Sequence, residues 1–224
     1  MEIFLDTASV GEIKDIIAWG IISGVTTNQK IFLAEKGCNF KERVHEILSL
    51  VNGPLSVELT RTDGSHEDMV KEAVEYSTWN PKRITIKVPM FGNGAGLKVV
   101  TQLRARKVRT NMTALVTTSQ VVLAAKAGAT YASIFFNRVR DAGGDAEQVV
   151  RESRALLDKM ETSTKIIVGS IRKPEDVIQA ALAGAHIVTI PYKILKQMPF
   201  HQKTEETIAE FDRAWKEFKQ AEKR

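Results

Sequence analysis

Eight short runs of β-branched and apolar residues, separated by amphipathic stretches, constrain this chain more than any other feature. They lie at 3–6, 24–27, 55–59, 84–88, 109–115, 131–135, 165–170 and 187–190. Several are near-continuous apolar runs, such as Ile166-Ile167-Val168, the pattern of strands covered on both faces. The stretches 10–19, 41–50, 67–77, 95–105, 119–127, 146–160 and 175–183 space their apolar residues for helices. Ser9 with Glu12 reads as a capping box, and Gly128 and Gly184 stand where helices end on left-handed glycine. Strands alternating with helices require a parallel sheet built from crossover units. An open doubly wound sheet and a closed (β/α)8 TIM barrel both satisfy that requirement. The count of eight favours the barrel. So does the missing Gly-x-Gly-x-x-Gly after the first strand, since Gly92-Asn93-Gly94-Ala95-Gly96 follows a later strand at another spacing. No linker or composition break divides residues 1–224, so the chain reads as one domain. An extra C-terminal helix at about 205–222 carries Ile208, Phe211, Trp215 and Phe218 at helical spacing. Beyond a complete barrel, that apolar stripe must cover the barrel or a neighbouring subunit.

Composition removes several function classes. With 43% hydrophobic and 26% charged residues, the chain is neither disordered nor collagen-like. Its net charge of +5 favours anionic partners. The densest basic stretch, Lys98, Arg104, Arg106, Lys107 and Arg109, reads as a solvated helix end, so nucleic acid is not an expected partner. The single cysteine, Cys38, excludes an internal disulfide and a cysteine-based zinc site, and suits a reducing compartment. Met1–Asp6 lacks a charged segment followed by an apolar core, and no apolar run approaches the ~20 residues of a membrane helix. The expectation is a soluble cytoplasmic protein with no membrane partner. His45, His66, His186 and His201 share no ligand spacing, so neither metal nor cofactor is expected. His186 and the three tryptophans read as packing residues.

The chemistry of such a barrel sits where its strands end. Those ends supply Asp6, Asn28, Glu58, Lys87, Asn111 with Thr113, Ser133 with Arg138, and Ser170 with Arg172. Lys87 is the most informative, because alternation in Ile84-Thr85-Ile86-Lys87-Val88-Pro89 points it inward with Thr85. Burial disfavours an ammonium and favours an amine that attacks carbonyls. An ion pair with Glu58 is the structural alternative. A carboxylate beside a Schiff-base lysine moves protons as a carbinolamine forms and hydrolyses, a role for Glu58, while Asp6 can take a proton from a hydroxyl. Asn28, Asn111, Ser133 and Ser170 suit sugar hydroxyls, and the guanidinium forks of Arg138 and Arg172 suit phosphate.

The segments Ile3-Phe4-Leu5-Asp6-Thr7-Ala8, Gly24-Val25-Thr26-Thr27-Asn28, Ile86-Lys87-Val88-Pro89, Thr110-Asn111-Met112-Thr113 and Gly169-Ser170-Ile171-Arg172 resemble the transaldolase family. The resemblance is to its small branch, which includes the fructose-6-phosphate aldolases, and it runs from Met1 to the last helix. It implies a class I barrel with Lys87 as Schiff-base lysine, Asp6 as acid/base, and Glu58 with Thr113 placing the catalytic water. Asn28, Asn111 and Ser170 would hold the dihydroxyacetone unit, with Ser133, Arg138 and Arg172 at the phosphate end. Aldolases of the branch carry Gln and Tyr where this chain has Glu58 and Phe135, so the resemblance implies transfer over cleavage. The implied reaction moves three carbons from sedoheptulose 7-phosphate to glyceraldehyde 3-phosphate, giving erythrose 4-phosphate and fructose 6-phosphate. The alternatives are a fructose-6-phosphate aldolase or a transaldolase on another anionic ketose, such as 6-deoxy-6-sulfofructose. Pentamers or decamers are implied, with the last helix reaching a neighbour. The chain departs from the family at Gln29 and Lys30, at Thr117-Thr118 and at Asn137. Lys30 thereby becomes a candidate anion contact.

Overall fold

A computed structural model describes residues 1–61 and 64–222. Its strands are β1 (Glu2–Asp6), β2 (Gly24–Thr26), β3 (Leu55–Glu58), β4 (Ile84–Pro89), β5 (Thr110–Leu115), β6 (Tyr131–Phe135), β7 (Lys165–Gly169) and β8 (Ile187–Pro191). All pair in parallel in sequence order, and β8 closes on β1 with Leu5 opposite Ile190. The expected (β/α)8 barrel is therefore present, and all eight expected strands are found. The helices are α1 (Val10–Ile17), α2 (Gln29–Ala34), α3 (Phe40–Leu50), α4 (His66–Thr78), α5 (Ala95–Ala105), α6 (Thr118–Ala127), α7 (Phe136–Asp141), α8 (Ala146–Lys159), α9 (Pro174–Leu182), α10 (Tyr192–Gln197) and α11 (Gln202–Ala221).

The strands carry the apolar residues that the ring of helices covers. Val25, Val57, Ile86, Met112, Ile134, Val168 and Val188 are buried completely and join one core with Ile13, Ile47, Val99 and Val150 from the helices. Burying an aliphatic side chain of this size contributes about 1.5–3 kcal/mol, so this layer supplies most of the driving force. Gly96 lets α5 begin directly on the strand that carries Lys87, because a Cβ there would lie 2.2 Å from the Pro89 carbonyl oxygen. On β5 the register breaks between Met112 and Leu115, and Ala114 turns left-handed, φ 63°. That bulge redirects the strand just past Thr113.

Three short helices, α2, α7 and α10, lay outside the expectation. Each has six residues, too few for a helical period to stand out. The capping box at the start of α1 is a correction. Ser9 makes no side-chain cap; Thr7 accepts from the Ser9 N–H and donates its hydroxyl to Glu12. Gly128 ends α6 in the left-handed region as expected, φ 89°. Trp79 packs among Phe40 and Tyr76, whereas Trp19 and Trp215 stand at the surface, against the expectation of packing. His186 is structural, its Nδ1 accepting from the Ile166 N–H, and burial holds its pKa below the ordinary value.

The basic stretch lies at the C-terminal end of α5, where Arg104, Arg106 and Lys107 are exposed. Helices of this barrel run antiparallel to the strands, so that patch is at the opposite end from the strand C-termini. Along α11, Ile208, Phe211, Trp215 and Phe218 are all at least half exposed. No helix is long and apolar enough to cross a membrane among the described residues.

Candidate active site

Three strand ends bring ionisable groups to the barrel neck. Lys87, from β4, is 4% exposed. Its Nζ donates to the Thr27 carbonyl at 2.9 Å and lies 3.0 Å from Glu58 Oε2 on β3. Strand register makes the pairing direct, since Glu58 and Lys87 are partners on adjacent strands. Asp6 ends β1, and its Oδ1 accepts from the Thr26 hydroxyl at 2.7 Å. Burial raises the Asp6 pKa above the ordinary carboxyl value, opposed by the charge of Lys87 and the Thr26 hydrogen bond and assisted by Glu58.

These groups open into a cavity of about 570 Å³ lined by Asp6, Asn28, Lys30, Glu58, Lys87, Ser133, Phe135, Arg138 and Ser170 among others. Nine of the twelve expected site residues thus face one space at the C-terminal ends of the strands. Asn111 lies completely buried beneath it. There it accepts from the Ser133 hydroxyl at 2.7 Å and donates to Ser56 at 3.3 Å, which orients Ser133 toward the cavity. Thr113 is buried too, and its hydroxyl has no hydrogen-bond partner among the described residues.

Arg172 is the exception. Its two guanidinium nitrogens bond the two oxygens of Asp141 at 2.8 and 2.5 Å, and it does not line the cavity. The paired guanidinium holds the exposed Asp141 carboxyl below its ordinary pKa. Arg138 remains on the cavity wall, 3.5 Å from the same carboxylate. Of the three residues expected at a phosphate end, Ser133 and Arg138 line the cavity, and the exposed Lys30 lines it as well.

Residues beyond the expectation also line the cavity, among them Thr26, Gln29 and Thr189. The Thr26 and Thr189 hydroxyls lie 2.5 Å apart, so a hydrogen-bonded chain runs from Thr189 through Thr26 to Asp6. Strand alternation carries their signal: both face the cavity, Thr26 as the last residue of β2 and Thr189 two residues before the end of β8. The departures from the family pattern acquire roles as well. Gln29 Nε2 donates to the Leu59 carbonyl at 2.6 Å, tying α2 to the end of β3. Thr117 caps α6 in a capping box with Gln120. Asn137 Nδ2 donates to the Ser170 carbonyl and to Asp176 Oδ2, both at 2.7 Å. Among the described residues, no group of three or more His, Cys, Asp or Glu side chains is placed to hold a metal ion.

Known proteins align with this chain over nearly its whole length. Probable transaldolases from Desulforudis audaxviator and Carboxydothermus hydrogenoformans are 45% and 44% identical over 219 residues, covering 98% of this chain and 99% and 100% of theirs. One from Roseiflexus castenholzii is 41% identical over 220 residues, covering 98% of this chain and 99% of its own. Among solved structures, a mandelate oxidase mutant matches with TM-score 0.57 at 16% identity, over 83% of this chain and 59% of its own. A flavocytochrome b2 mutant matches with TM-score 0.61 at 12% identity, over 86% of this chain and 56% of its own. At those identities the two show a shared barrel and nothing of the chemistry. Residues 3–224 match the family described as Transaldolase/Fructose-6-phosphate aldolase, and with relatives this similar end to end, the chain belongs to that family.

Proposed function

We propose that this protein is a Schiff-base transaldolase, with Lys87 as nucleophile. The observation that carries the reading is a buried amine 3.0 Å from a carboxylate, at the floor of a cavity that also presents Asp6. Glu58 takes the proton that Lys87 must lose. The amine then adds to the ketose C2 carbonyl, and the carbinolamine sheds its oxygen as water to leave an imine. Asp6, lifted by burial toward the range of a general base, takes the C4 hydroxyl proton as the C3–C4 bond breaks. The aldehyde departs and the bond's electron pair stays as an enamine on Lys87. Attack of that enamine on an acceptor aldehyde forms the new bond, and the proton on Asp6 returns to the new hydroxyl. Water then hydrolyses the second imine and frees Lys87.

Asn28, Ser170 and, through Ser133, Asn111 provide hydrogen bonds for the dihydroxyacetone unit. The orphaned Thr113 hydroxyl, on the strand next to the one that carries Lys87, suits a water that must be held during imine formation. Phe135 on the cavity wall offers no proton to the enamine, which favours transfer over release. Arg138, Ser133 and Lys30 give the cavity its anion-binding end, consistent with a sugar phosphate or sulfonate. The exposed apolar stripe of α11 supports assembly with a neighbouring subunit, as in the pentamers and decamers that the resemblance implies.

Incubation with fructose 6-phosphate followed by borohydride tests the nucleophile. The expected product is a reduced adduct whose mass maps to Lys87. Adding erythrose 4-phosphate should drain that adduct and yield sedoheptulose 7-phosphate. An unmodified protein would overturn the reading.

A further inference from the structure

We propose that Asn137 and Asp176 are positioning residues that hold Ser170 in a left-handed backbone conformation and so aim it into the Lys87 cavity. The inference rests on the Schiff-base reading of that cavity. Ser170 has φ 60°, a region that glycine adopts freely and a residue with a Cβ adopts only at a cost. A hydroxyl at this position therefore needs surroundings that fix the backbone.

The surroundings are there. Asn137, buried on α7, spends both hydrogens of its amide nitrogen, one on the Ser170 carbonyl and one on Asp176. Asp176 is completely buried in the first turn of α9, and its Oδ2 also accepts from the N–H groups of Arg172 and Lys173 at 2.9 and 3.2 Å. Its Oδ1 takes Arg140 Nη1 at 2.8 Å, and the Arg140 guanidinium lies 4.4 Å over the Phe136 ring. The carbonyl of Ser170 and the two amides beyond Ile171 are thus tied to one carboxylate, directly or through Asn137. Capping of α9 accounts for the Lys173 bond alone. It does not account for the Asn137 bridge, which reaches across from the preceding crossover to the one residue of this loop that is left-handed and lines the cavity.

The test is the fructose 6-phosphate concentration that gives half-maximal borohydride adduct, read beside the maximal adduct and the circular-dichroism melt. Asn137→Ala should raise the half-saturating concentration about tenfold, as loss of a hydrogen-bonded alignment does, and leave the maximal adduct unchanged. Ser170→Ala should raise the half-saturating concentration by a similar factor. Because both act through one hydroxyl, the double variant should be no worse than about twofold beyond either single change. Asp176→Asn, which keeps the side-chain volume, should weaken half-saturation in the same direction and keeps the idea testable if Asn137→Ala does not fold. Unchanged half-saturation in the folded variants overturns the inference, as does a double variant whose losses multiply. An unmutated chain that forms no adduct overturns the Schiff-base reading and this inference with it, a result distinct from normal trapping that Asn137 does not affect.

Discussion

Lys87→Met removes a cation from the barrel neck while keeping the length of the side chain. The pair it breaks is 3.0 Å long, with side chains only 5% and 13% exposed. At that separation two unit charges attract by about 5–6 kcal/mol at an effective dielectric near 20. Desolvation of both groups cancels much of this while the pair is intact. Removing one partner leaves the other's desolvation uncompensated, which for buried pairs costs about 3–5 kcal/mol. The lost hydrogen bond to the Thr27 carbonyl adds about 1 kcal/mol. Two effects offset these: Glu58 keeps an edge on the cavity, and the methionine regains apolar contact. The net loss should be about 2–4 kcal/mol at pH 7, a fall in Tm of about 5–15 °C for a chain of this size. Urea melts followed by circular dichroism read it directly. Lys87→Met with Glu58→Leu should recover to within about 1 kcal/mol of the parent, because an apolar pair of similar volume has no charge to desolvate. A single variant as stable as the parent, or a double variant no better than the single, would refute the buried couple.

Lys87→Arg keeps the charge but forms no imine, so borohydride trapping and turnover should vanish while the fold persists; substantial trapping and turnover in this variant would rule out Lys87 as nucleophile. Phe135→Tyr with Glu58→Gln should raise the release of free dihydroxyacetone relative to transfer, measured by product ratio; an unchanged ratio removes these positions from the partition. Burial raises the Asp6 pKa, so on raising pH the unfolded chain loses that proton first and the group subtracts stability from about pH 4 upward until the folded carboxyl titrates. Asp6→Asn should accordingly gain more stability over the parent at pH 7 than at pH 4 in paired urea melts, and equal gains at both would contradict the raised pKa. Lys30→Ser should raise KM about tenfold for phosphorylated or sulfonated ketoses, less so at high salt, and leave uncharged ketoses nearly unaffected; equal losses on both would make Lys30 a loop residue.

Periodicity carried the barrel because strand and helix periods are set by backbone geometry and survive any change of partner. It missed α2, α7 and α10, each a six-residue turn that follows a strand end and takes its shape from tertiary contacts. The site was legible wherever a residue ends a strand, since alternation fixes which way its side chain points. Thr26 and Thr189 escaped notice because each lies one residue short of the strand end read from the sequence, where a threonine also reads as an ordinary strand former. Arg172 was misplaced for a different reason. Position puts its Cα beside the cavity, but a long flexible side chain goes to the nearest carboxylate, and Asp141 on α7 lies 31 residues away in sequence. Ser9 failed similarly, because Thr7 and Glu12 satisfy each other before the serine hydroxyl is needed.

The distribution of charge argues for chemistry at the neck over passive binding. An isolated buried ion pair stabilises a fold little, and an apolar substitute of similar size often does better. Asp6 adds a second carboxyl close to the first, which the raised pKa marks as an unfavourable place for a charge. A barrel that only held a sugar phosphate would need the exposed Arg138 and Lys30 and half-buried hydrogen-bonders such as Asn28 and Ser170. It would not need Lys87, 4% exposed and stacked with two carboxyls on the inward phase of its strands. Beneath them the buried residues are neutral, Thr85 and Asn111 beside the apolar cluster of Phe4, Tyr131, Ile167 and Ile187, so the ionisable groups are concentrated at the end of the barrel where substrates enter. An amine in that setting has a carboxylate to take its proton and little water to hydrate it. Those are the two conditions for adding to a carbonyl, and neither helps an anion to bind.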